Sequence, residues 1–169
     1  MVNIVAPLDS TIDNFSQLSP NKFKVVIGLF PDTAFWAQKV TLPAINLGQN
    51  VLGTNTFLKW TTPGDTLSFD DLVISFIMDE DIVAYRKLKQ WQLDMVGREL
   101  PNYRFSDLQI MLLTNNSNKN HSFKFSNTWP STVGSFTMDT TVGEDQPITV
   151  EVSFKHTSFD IDPPIIIIP

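Results

Sequence analysis

The sequence predicts a mainly β domain: two packed antiparallel sheets, a sandwich or partly closed barrel, with one flanking α-helix and extended N- and C-terminal arms. Three observations predict it. Apolar and polar residues alternate with period two along most of the chain, as in strands with one buried face. Thirteen Phe and eleven Pro favour strands and turns. The period changes to a helical one in a single stretch, residues 81–96.

Residues 1–20 carry no periodicity and end in Ser19-Pro20, an arm that a partner would order. Phe23, Val25 and Ile27 then alternate with Lys22, Lys24 and Val26 in a strand stopped by Gly28. After Pro31-Asp32, residues 34–42 form a second strand with Ala34, Trp36, Gln38 and Val40 on one face. These two strands read as a hairpin that Pro43 closes. In residues 45–63, Thr56, Leu58, Trp60 and Thr62 alternate with Phe57, Lys59 and Thr61, while Gly48 and Gly53 interrupt. That is an extended hairpin with two mixed faces. Such a hairpin is poorly stable alone, so it is expected to dock on another chain.

Residues 67–78 read as one long strand, with Leu72, Ile74, Phe76 and Met78 on the core face and Val73, Ser75 and Ile77 on the other. Ile82, Tyr85, Leu88, Trp91 and Met95 then recur at helical spacing. The acids Asp79, Glu80 and Asp81 stand at the N-terminal side, where the helix dipole favours them, and Gly97 ends the pattern. After Pro101, residues 107–114 and 119–127 form a hairpin around the Asn-rich turn 115–118. Trp129-Pro130 is expected to break that hairpin, and residues 134–139 to form a separate strand. A long final strand starts at Ile148, where Ile148, Val150, Val152 and Phe154 alternate with Thr149, Glu151, Ser153 and Lys155. The domain thus covers residues 21–161, and residues 162–169 form a Pro/Ile tail.

Composition excludes several functions. A chain of 169 residues fits one domain and can bury a substantial core. It has no cysteine, so it holds neither a disulfide framework nor a thiolate nucleophile or ligand. Net charge −6 argues against a protein that grips phosphate backbones. Residues 1–13 lack a basic segment followed by an apolar one, so no secretory leader is read. No stretch approaches the ~20 apolar residues of a membrane-spanning helix. Synthesis and assembly in a reducing cytoplasm are expected.

No catalytic, metal or cofactor site is expected. His121 and His156 are isolated, without a second ligand at helical spacing. In a continuous strand, Asp70 and Asp71 would point to opposite faces and could not converge as a glycosidase pair does. The seven glycines give neither a phosphate-binding loop nor a nucleophile elbow. Trp36, Trp60, Trp91 and Trp129 leave a carbohydrate-binding sandwich as a second class, although Trp91 falls on the helix's apolar stripe and Trp129 at a sheet corner. What remains are features of assembly: two arms, a mixed-face hairpin and four consecutive isoleucines, an aggregation liability if left in water.

The residues from about 21 to 161 resemble the tail tube proteins of contractile-tailed, T-even-like bacteriophages. The resemblance rests on Asn21 to Ile27 as an opening strand and on Leu42-Pro43-Ala44 as its strand-ending motif. It continues with the run Gly64-Asp65-Thr66-Leu67-Ser68-Phe69-Asp70-Asp71, then Met78-Asp79-Glu80 before the helix bearing Trp91. It ends with Trp129-Pro130-Ser131-Thr132-Val133-Gly134. Six such motifs in order, at fitting distances, are a specific signal, and Pro43, Asp70, Asp71, Trp91, Trp129, Pro130 and Gly134 mark the shared framework. The 163–169 segment has no counterpart in the pattern.

The resemblance implies a structural virion protein that forms hexameric rings stacked into a hollow tube, the architecture shared by the Hcp tubes of type VI secretion. It implies a contractile sheath protein, a baseplate and a tape-measure protein as partners, with DNA passing through the lumen without specific binding. It also leaves open a baseplate-proximal tube initiator or a hub relative. Phe57, Leu58, Trp60, Ile165 and Ile166 are the candidates for contacts between subunits and rings. Ser75, Thr149, Glu151 and Ser153, which face away from the core in the best-alternating strands, are the candidates for the lumen.

Overall fold

The computed structural model describes residues 17–32, 37–53, 59–97, 105–115, 117–139, 141 and 147–162. The chain runs β1 (Phe23–Ile27), β2 (Ala37–Thr41), β3 (Ile45–Leu52), β4 (Trp60–Phe69), β5 (Leu72–Ile77), α1 (Val83–Gly97), β6 (Ser106–Leu113), β7 (Lys119–Val133), β8 (Thr149–Lys155) and β9 (Ser158–Asp162). Seven strands form one sheet in the order β1-β6-β7-β8-β5-β2, with β9 also on β7, and β3 and β4 form a separate two-stranded sheet. All pairings are antiparallel.

The larger sheet folds over on itself at β7. Residues of β7 up to Thr128 pair with β6, and those from Trp129 on pair with β8. Val25 and Ile27 of β1, Leu108 and Ile110 of β6 and Phe125 of β7 come from one half. Leu72, Ile74 and Phe76 of β5 and Val150, Val152 and Phe154 of β8 come from the other. Together with Leu88 and Trp91 of α1 they form a single buried cluster. Period-two alternation placed these side chains on the inner faces, as expected, and their burial is the main favourable term holding the halves together.

The helix begins two residues later than its acids suggested. Asp79 accepts a hydrogen bond from the Val83 N–H at 2.9 Å, filling a donor that a helix N-terminus leaves open. Ile82, at φ 47°, turns the chain into the helix and is itself exposed. Ala84, Leu88 and Trp91 are buried, and Gln92 ties the helix to the sheet corner by donating to the Pro130 carbonyl at 3.3 Å.

Five expectations are corrected. The sequence predicts that the first two strands form a hairpin, yet β1 pairs with β6 and β2 with β5, at opposite ends of the strand order. The reason lies just after β1. The Gly28 N–H donates to the Asp107 carbonyl and the Leu29 N–H to the Ser106 hydroxyl, which hold the tight turn at residues 27–30 against β6, while β2 finds its partner in β5. The strand predicted over 67–78 is two strands, because Asp70 and Asp71 form a joint. The Asp70 N–H donates to the Ala44 carbonyl and its carboxylate accepts from the Asn46 amide, while Asp71 pairs with Lys155 across at β8.

Trp129-Pro130 does not break β7. Asn127 takes φ 53°, the register shifts between Pro130 and Thr132, and the strand changes partners without ending. Residues 134–139 are not a strand. Gly134 still donates to the Glu151 carbonyl at 2.8 Å, but Phe136 then packs edge-on against Tyr85 of the helix, which explains its alternation without a ladder. Finally, the last strand is two: the chain bends at His156 and Thr157 and returns as β9 along β7.

Candidate assembly surfaces

The hairpin β3–β4 stands apart from the seven-stranded sheet. Its base is held by the Asp70 joint and by Phe69, whose ring lies 5.3 Å from Phe159 and 5.7 Å from His156. Along β3, Ile45, Leu47, Gln49 and Val51 share a face by period two, and Leu67 lies opposite Leu47. Ile45, Leu47, Val51 and Leu67 are each more than half exposed. Trp60, opposite Leu52, falls on the other face and is 72% exposed.

Uncovered apolar side chains on both faces of a two-stranded ribbon make it a candidate interaction surface. Gly48 and Gly64 let the two strands approach where the register slips: a Cβ on Gly64 would sit 2.9 Å from the Gly48 backbone. The sequence reading singled out this hairpin for its mixed faces. It missed Ile45, Leu47, Val51 and Leu67, although the alternation of residues 45 to 51 was a usable signal.

The outer face of the β2-β5-β8 layer mixes polar side chains with Val73 and Ile77 and carries Lys39 and Glu151, one charge of each sign. Lys39, Ser75 and Glu151 lie in one register row, and Thr41, Val73 and Ser153 in the next. Thr149 and Glu151 are exposed and Ser153 half-buried, whereas Ser75, between its neighbours, is only 6% exposed. A third surface is an apolar groove of about 210 Å³ where the β1 and β2 ends of the sheet face each other, floored by Phe23, Ile110, Leu112 and Val40.

The other singled-out residues serve the framework. Pro43 and Pro130 are buried, Trp91 is 2% exposed in the core, and Trp129 packs half-buried against the same cluster. Gly134 lies so close to β8 that a Cβ there would be 2.6 Å from the Glu151 carbonyl oxygen. Phe57, Leu58, Ile165 and Ile166 lie outside the described residues. His156 sits among Phe69, Phe125 and Phe159, with both ring nitrogens buried and unpartnered. Burial holds its pKa below the ordinary imidazole value, opposed by the nearby Asp71 carboxylate. Asp139 is held below its usual range by hydrogen bonds from the Thr141 N–H and hydroxyl. Asp70 and Asp71 point to different partners, Asn46 and Lys155, and do not converge on a substrate site.

No family model matches the chain, and no curated protein matches it by sequence. Solved structures do match in three dimensions. A chain of the sheath–tube complex of an extracellular contractile injection system, PVC, in the extended state, aligns with TM-score 0.65 at 14% identity. The alignment covers 93% of this chain and 99% of that one. The tube-terminating cap of the anti-feeding prophage, AFP, aligns with TM-score 0.67 at 16% identity, again over 93% and 99%. The chain shares the fold of these chains from a sheath–tube complex and a tube-terminating cap. A chain of the PVC sheath/tube terminator in the extended state aligns with TM-score 0.63 at 15% identity over 87% of the present chain and 97% of its own.

Proposed function

We propose that the chain is a structural subunit that assembles into hexameric rings stacked as the inner tube of a contractile tail, a conduit through which DNA leaves a virion. The observation that carries this reading is the β3–β4 ribbon. Its side chains Ile45, Leu47, Val51, Leu67 and Trp60 are uncovered in the isolated subunit, in a fold shared with chains of tube-bearing complexes. Fold alone does not license function, and the uncovered ribbon adds a physical need for a neighbouring copy. The sheath, baseplate and tape-measure proteins are the further partners of this reading.

In the tube, the β2-β5-β8 outer face lines the lumen. Its row Lys39, Ser75 and Glu151 carries one charge of each sign, so it offers no basic ring to hold phosphates. A second reading, an end piece that caps a tube or starts it at the baseplate, is favoured by the likeness to the AFP cap and to a chain of the AFP baseplate (TM-score 0.65, 12% identity). Negative-stain microscopy of purified protein tests both. Tubes with a central hole support the repeating subunit, single rings support the end piece, and dispersed monomer at all concentrations removes both.

A further inference from the structure

The groove at the free ends of the sheet needs an occupant. β1 and β2 end the strand order, and each pairs with a strand on one side among the described residues. Between them the groove exposes Leu18, Leu42 and parts of Phe23, Val40 and Leu112, over buried Ile110. Residues 163–169 of the same chain read Pro-Pro-Ile-Ile-Ile-Ile-Pro. Four isoleucines have strong strand preference and need apolar cover. An extended segment laid along an open strand edge gains main-chain hydrogen bonds and buries alternate side chains.

The register places the start of the segment. Asp162 lies beside Ser122 of β7, Ser122 beside Met111 of β6, and Met111 beside Lys24 of β1. The segment therefore leaves from β9, on the opposite edge of this half-sheet from β1. Three strand spacings, about 14 Å, separate the two edges. To reach its own groove the segment would have to recross β7 and β6. A head-to-tail ring joins two different patches of neighbouring copies, and the β9 edge with the β1–β2 edge is such a pair.

We propose that the isoleucine segment 165–168 of one subunit lies as an added strand along β2 in the groove of its ring neighbour, closing the open seam. This rests on the ring reading of the preceding subsection. Because the chain has no cysteine, engineered thiols report this contact alone. A size-tagged Leu42→Cys protein is mixed with untagged Ile166→Cys, assembled and oxidised, with Leu93→Cys on the exposed helix face replacing Leu42→Cys as control.

The expected result is a mixed disulfide dimer at least ten-fold stronger than with the control. Rings in the microscope without that dimer overturn the inference and leave the ring reading standing. So does a double variant, Leu42→Cys with Ile166→Cys, that closes within single chains. Wild-type protein that stays monomeric, with no mixed dimer, overturns both.

Discussion

A methyl group added to Gly134 would meet the Glu151 backbone carbonyl oxygen at 2.6 Å, and a backbone atom cannot swing aside as a flexible side chain would. Gly134→Ala is therefore expected to cost about 1–3 kcal/mol, read as a lower denaturant midpoint with unchanged slope. Trp91 fills the space between helix and sheet, 6.3 Å from Phe154 and 6.0 Å from Phe30. Trp91→Ala is expected to cost about 3–5 kcal/mol, because the rigid β strands around it collapse only partly.

His156 gives a pH prediction. Its pKa is lowered in the folded chain by burial among three phenylalanines, with Asp71, itself paired to Lys155, acting the other way. The folded state thus binds fewer protons than the unfolded one below the ordinary imidazole value. Stability is complete above that value and falls as pH drops through the lowered pKa. Thermal melts from pH 7.5 down to 5 should show a falling Tm, and His156→Phe should flatten that fall by removing the titrating group. Equal slopes in the two proteins would show that His156 is not the group responsible.

At the scale of elements, the β3–β4 ribbon should be separable from the fold. Leu47→Asp with Leu67→Asp places charge on the uncovered face without touching the buried cluster. The expected product is soluble monomer with the wild-type melting temperature within a few degrees and no rings, checked by calorimetry and light scattering. Trp60→Asp tests the opposite face in the same way, and assembly surviving both changes would take the ribbon out of the interface.

Elements whose identity depends on neighbours in sequence were legible: the strand of Val25 and Ile27, the helix around Leu88 and Trp91, the β6–β7 hairpin around the 115–118 turn. Pairing was not, where it depends on distant groups. Nothing local in residues 23–42 says that Gly28 and Leu29 will bond to Asp107 and Ser106, or that β2 will pair with β5 instead of β1. Likewise Pro130 looks like a break until Phe154 of β8 stands in register beside it. The β3–β4 ribbon stood out in the sequence because its faces were mixed. Its exposed stripe was hidden because period two shows that side chains share a face and not whether that face is covered.

At the scale of the molecule, the proposed ring completes each subunit with its neighbours. The subunit's core is closed by a sheet that folds over at β7, but one ribbon and one groove are left apolar and open. The acidic balance, 18 acidic against 12 basic residues, sets the net repulsion that such a chain must overcome to associate. Assembly should therefore rise with salt, in contrast to a protein that binds through opposite charges; light scattering across 20 mM to about 500 mM salt checks this.

The measurement that tests the central claim most directly is cryo-electron microscopy of the purified, untagged protein across a concentration series. The account predicts closed rings with a central hole, stacked with the β3–β4 ribbon buried between copies and the Lys39–Ser75–Glu151 face turned to the lumen. Particles that remain single subunits, or rings in which that ribbon projects into solvent, would contradict it.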